Sequence, residues 1–103
     1  MSAANPHRGE ASLSVAGEIL VLRPSFGALV AAEQELGSLF ALVERASSGR
    51  LRLSELATLF WHCLQDREGL SREQLGEALT AAGLASAARP LRTILVQILQ
   101  GGT

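Results

Sequence analysis

The sequence predicts an α+β fold, mainly α: an N-terminal β-hairpin followed by about five short helices in one compact domain. Two patterns carry this reading. A period-two alternation starts near Glu10, and beyond Pro24 it gives way to apolar residues at helical spacing. A length of 103 residues then limits the chain to one core.

The first residues, 1–9, are polar and include Pro6, which reads as a flexible arm ahead of a domain at 10–100. Leu13 and Val15 alternate with Ser12 and Ser14, Ala16-Gly17-Glu18 supplies a turn, and Ile19 to Arg23 forms the second strand. Pro24 cannot donate to a ladder and closes that strand. Ser25 is the expected N-cap of a first helix running to Leu36, with Gly37 as its stop and Phe26, Leu29, Ala32 and Leu36 on one face.

A second helix, Ser38 to Ser47, shows Leu39, Phe40, Val43 and Ala46 before Gly49 breaks it. A third, with Ser54 as its expected cap, carries the clearest amphipathic stripe: Leu56, Leu59, Phe60, Cys63 and Leu64. Asp66 to Leu70 is a polar loop. Ser71 and Gln74 then make an S-x-x-Q capping box for a fourth helix, with Leu75, Ala78, Leu79 and Ala82 on its face and Gly83 at its end. The fifth begins between Ser86 and Arg89, admits Pro90 in its first turn and buries Leu91, Ile94, Leu95 and Ile98.

Hydrophobic residues make up 48% of the chain but aromatics only 4%, so the core must be aliphatic, with Phe26, Phe40, Phe60 and Trp61 as its few large pieces. A formal charge of -1 gives no bulk reason to bind nucleic acid or an acidic membrane. All nine basic residues are Arg and scattered; Arg45, Arg50 and Arg52 are the only loose group. A single Cys63 excludes an internal disulfide. No apolar stretch approaches the roughly 20 residues that cross a bilayer, and no secretory signal opens the chain, so a cytoplasmic location is expected.

Catalytic and metal-binding patterns are weak. His62 and Cys63 are adjacent, so on a helix they point about 100° apart and cannot chelate one ion. The stretch from Asp66 superficially resembles a calcium loop, yet the required Gly is Ser71 and the short carboxylates are replaced by Glu68, Leu70 and Gln74. Cys63 sits in the apolar stripe, where a thiol behaves as a small hydrophobe. No nucleophile elbow, phosphate loop or dinucleotide fingerprint is present. Neither an enzyme nor a cofactor is expected.

Two residues interrupt the pattern. Glu33 lies about 40° from Leu29 on the first helix, inside its apolar arc, and needs an Arg or a helix N-terminus; a structural ion pair is the expectation. Trp61 stands to one side of the third helix's stripe. It either fills a second contact with the hairpin or a neighbouring helix or is partly exposed. In the latter case it is, with Leu64, the expected partner contact, since an exposed Trp anchor is worth about 2 kcal/mol or more on truncation.

The order of short motifs resembles that of the small tail proteins of bacterial gene transfer agents and related tailed phages, described as tail assembly chaperones and sometimes labelled tail tube proteins. The residues that carry the resemblance are Asn5-Pro6-His7-Arg8-Gly9-Glu10, a hairpin, Leu22-Arg23-Pro24-Ser25-Phe26-Gly27-Ala28-Leu29, and Glu33 four residues before Gly37. Gly49-Arg50 ahead of a Leu-rich helix, a capped acidic helix from Ser71 to Leu84 and an Ala-rich end continue it, while Trp61-His62-Cys63 stands where small residues would be expected. The resemblance implies a cytoplasmic chaperone that binds the helical tape measure protein and gathers tail tube subunits, with self-association left open. A structural tail component kept in the particle and an unrelated helical adaptor are the alternatives.

Overall fold

The computed structural model describes residues 10–15 and 17–100, so the arm expected at 1–9 lies outside the described residues. The alternation from Ala11 becomes β1 (Ala11–Val15), whose residues are buried and exposed in turn. It pairs antiparallel with β2 (Glu18–Leu22) in a register that sets Leu13 opposite Leu20 and Val15 opposite Glu18. Gly17 takes φ 76°, the left-handed conformation that a two-residue hairpin turn needs and a β-carbon disfavours.

Five α-helices follow: α1 (Phe26–Leu36), α2 (Leu39–Ser47), α3 (Leu53–Cys63), α4 (Arg72–Ala82) and α5 (Ala88–Gln100), with a 3₁₀ turn at Leu84–Ala87. The start of α1 is made as expected, the Ser25 hydroxyl accepting from the Ala28 N–H at 3.2 Å. Ser38, expected as the first residue of the second helix, is instead its cap, its hydroxyl accepting from the Ala41 N–H at 3.3 Å. The capping box of α4 is complete, with Ser71 Oγ accepting from the Gln74 N–H at 3.1 Å and Gln74 Oε1 from the Ser71 N–H at 2.8 Å. The start of α3 differs. Arg52, not Ser54, is the residue before the helix, and the Glu55 carboxylate takes up its N–H at 3.0 Å. This bond is the reciprocal half of a capping box, in which an acid at the third helical position satisfies the N–H of the residue before the helix.

The core centres on α3, which packs against both α1 and α4, while α5 packs against β1 and α2. Leu56, Leu59, Phe60 and Cys63 are all buried, in one cluster with Leu13, Leu22, Leu42, Leu75, Leu79 and Ile94. Two of the large residues expected in that core are outside it. Phe26 is 86% exposed and Phe40 70% exposed. On α1 the buried face centres on Ala32, from which Phe26 is turned by about 120° at 3.6 residues per turn. On α2 the face is Leu39, Leu42 and Val43, and Phe40 points about 100° from Leu39.

Two hydrogen bonds tie the hairpin to the helices. The Arg23 N–H donates to the Cys63 carbonyl at 2.6 Å and the Gln65 N–H donates to the Val21 carbonyl at 3.0 Å, making an antiparallel bridge between Leu22 and Leu64.

Because both halves of the α4 capping box form, Ser71→Ala should cost about 1 kcal/mol. The expected reading is a lowered urea midpoint with an unchanged slope.

Candidate functional site

Glu33 sits where α1 turns into α2. Its backbone carbonyl accepts from the Gly37 N–H at 2.8 Å, and its carboxylate accepts from the Leu39 N–H at 3.3 Å, at the start of α2. No cation lies within ion-pairing distance of it among the described residues, so the expected salt bridge is replaced by the helix N-terminus. The corner between α1 and α2, bent by 77°, is thus held by one residue twice over.

The ion pairs form around Glu35, two residues further on. Arg72, the first residue of α4, donates to its two carboxylate oxygens at 2.6 and 3.1 Å, and His62 from the last turn of α3 reaches the same carboxylate. One acid thereby joins α1, α3 and α4. The Arg72 and His62 hydrogen bonds hold the Glu35 carboxyl well below its usual 4.5, at about 2. Nothing in local spacing marks Glu35, because its partners stand 27 and 37 positions away.

Trp61 belongs to this cluster. It is half-buried against the core, and two guanidinium groups lie over its ring, Arg67 at 5.2 Å and Arg72 at 5.9 Å from the centroid. Both distances are within cation–π range. Leu64 is not at the surface: its side chain is only 5% exposed and is part of the core, because the chain leaves α3 there to bridge Leu22. In the closed domain it offers nothing to a partner. Cys63 beside it is buried, which pushes its thiol up to about 12 and keeps it protonated at neutral pH. Among the described residues no three His, Cys, Asp or Glu side chains are grouped to hold a metal ion.

An open, almost wholly apolar groove of about 760 Å³ runs between α3 and α4. Small residues make it. Gly76 of α4 faces Ala57 of α3 so closely that a β-carbon on the glycine would meet the alanine's at 4.0 Å. Ala81 continues the floor, Leu53 stands exposed at one end, and the Thr80 hydroxyl donates to the Gly76 carbonyl at 3.0 Å, which removes it as a polar intrusion. Glu73 and Glu77 flank the groove, and neither is in a salt bridge among the described residues. Sequence reasoning missed this groove, since Gly76 and Ala81 carry no motif. Of the Arg45, Arg50 and Arg52 group, Arg45 pairs with Glu55, while Arg50 Nε donates to the neutral Ser48 Oγ at 3.1 Å.

A family model described as phage tail tube protein, GTA-gp10, matches residues 8–101. The chain belongs to this family. No curated protein and no solved structure matches it. The α+β hairpin-and-helices chain is therefore a tail protein of the gene transfer agent and phage type. No single helix in its described residues is long and apolar enough to cross a membrane.

The Glu35 clamp makes stability depend on acid. A carboxyl held at about 2, against an ordinary 4.5, stabilises the fold above the ordinary value and loses that contribution as pH falls towards 2. Between those values the wild-type melting temperature should fall more steeply than that of Glu35→Gln, so that the two curves converge in acid.

Proposed function

We propose that this chain is a non-catalytic tail assembly chaperone that holds an amphipathic helix of the tape measure protein in the groove between α3 and α4. The single observation that carries the reading is that groove: a shallow, open apolar surface lined by Ala57, Gly76 and Ala81, left after the core has closed. A helix laid into a groove is recognised through residues at i, i+3, i+4 and i+7, and a floor of small side chains lets its backbone approach closely. Glu73 and Glu77 at the rim favour a partner helix with basic residues beside its apolar stripe.

Such a chaperone acts in the bacterial cytoplasm while the particle is built. It shields an apolar rod from aggregation and gathers tail tube subunits along it. Trp61 contributes by position: with Arg72 and Glu35 it fixes the start of α4 against α3, which sets the spacing of the groove walls. The second reading, a structural component retained in the tail, is favoured by the family description, tail tube protein. Purified particles decide between them, since a structural subunit is present in many copies and a chaperone is absent.

Gly76→Leu fills the groove while improving helix propensity by about 1 kcal/mol at an interior helix position. Co-expressed with the tape measure protein, the wild type should keep that partner soluble. The variant should remain folded, with a melting temperature at least as high, and lose the partner to the pellet. Equal rescue by both proteins would remove the groove from the mechanism.

A further inference from the structure

We propose that the outer edge of β2 at Ile19 is a second binding site, separate from the helix groove, which takes an extended basic segment of another protein by strand addition.

The register of the hairpin decides which backbone groups face outward. Val15 and Glu18 flank a two-residue turn and form a hydrogen-bonded pair, so Leu13–Leu20 and Ala11–Leu22 are hydrogen-bonded as well. Ile19 and Val21, the alternate residues of β2, therefore direct their N–H and C=O away from β1. The segment after α3 engages the Val21–Arg23 part of this edge, through the bond from the Gln65 N–H to the Val21 carbonyl and that from the Arg23 N–H to the Cys63 carbonyl. It then diverges as the turn around Asp66 to Gly69, so that among the described residues the N–H and C=O of Ile19 are unmatched.

Between this stretch of edge and the diverging loop lies a groove of about 610 Å³, with Glu18, Ile19 and Val21 on one wall and Asp66, Glu68 and Leu70 on the other. Ile19 is 66% exposed, an apolar side chain on an open strand edge, where soluble proteins ordinarily place a charge or a proline.

Charge selects the occupant. Among the described residues no Arg or His lines the groove, and the loop's own cation, Arg67, is turned away over Trp61. Glu18, Asp66 and Glu68 therefore meet no positive charge within it among the described residues, although one Asp66 oxygen accepts the Glu68 N–H at 2.9 Å. A second copy pairing edge to edge through β2 would set these acids against themselves. An extended partner with apolar residues facing Ile19 and Lys or Arg facing the acids satisfies both the backbone and the side chains, as in other cases of strand addition.

The test is titration of the full chain with a short alternating Lys-Val peptide, followed by amide NMR, with a Glu-Val peptide as control. Saturable binding of the Lys-Val peptide, slowed exchange of the Ile19 amide and weakening by salt are expected. Ile19→Pro deletes the outward N–H without touching a hairpin bond, because Ser14 and Ile19 form a non-hydrogen-bonded pair. It should weaken binding by about tenfold or more. Glu68→Lys, on an exposed turn away from the hairpin, should weaken it similarly. No saturable binding, equal binding by the Glu-Val peptide, or undiminished binding to both variants would overturn the proposal. Gly76→Leu leaves this edge intact, so loss of the tape measure interaction in that variant and loss of peptide binding in Ile19→Pro are separate results.

Discussion

The arrangement of the whole molecule depends on how α3 ends. At Leu64 the backbone leaves the helix for an extended conformation, φ -58° and ψ 126°, and the peptide groups on either side of that residue become available to β2. Without the bonds at Cys63 and Gln65 the hairpin would be held only by its apolar face, and an isolated two-stranded hairpin is marginal in water. The same exit brings Trp61 and His62 to the last turn of α3, within reach of α1 and α4. It also carries the loop that follows alongside β2. One helix end thus places the ionic clamp and the acidic groove together.

The scarcity of aromatic residues explains the surface as well as the core. Of the aromatics only Phe60 is fully buried, and apart from Cys63 the rest of the apolar core cluster is Leu, Ile, Val and Ala. Burying each large aliphatic chain contributes about 1.5–3 kcal/mol, so the aliphatic stripe of α3 and its neighbours provides the main stabilisation. Small side chains at the crossing of α3 and α4 let the two helices approach closely but leave a trough where larger residues would have filled the outer rim. Scattered exposed residues such as Phe26 and Phe40 call for no special explanation.

Much of the architecture was legible because it is written locally. Alternation gave the hairpin, Ser25, Ser38 and Ser71 the helix starts, and Gly37 and Gly83 the stops. The misreadings came where a decision depends on distant partners. Phe26 fits the helical spacing of α1 as well as Leu29 does, and only the packing of Ala32 against α3 determines which arc is buried. Glu33 was expected to find a cation, but the chain's own next helix offered an N–H first; the cations went to Glu35, from α3 and α4. Leu64 was read as part of an amphipathic face, whereas the helix had already ended there. The grooves were invisible for the same reason, being defined by what two separate segments leave unfilled.

The near-neutral net charge conceals a segregation that bears on both grooves. Arg23, Arg45 and Arg72 are each committed to a carboxylate of the same chain, Glu10, Glu55 and Glu35 respectively. The carboxylates that line the two grooves, Glu73 and Glu77 on one and Glu18, Asp66 and Glu68 on the other, have no Arg beside them in either lining. Acids at an opening with no Arg in its described lining favour a negative local potential there, which a chain of charge -1 would not suggest. Partners drawn to these faces should carry basic residues whether they arrive as a helix or as a strand. Backbone geometry then separates the two, because the trough between α3 and α4 offers no open hydrogen-bonding edge and the rim of β2 does.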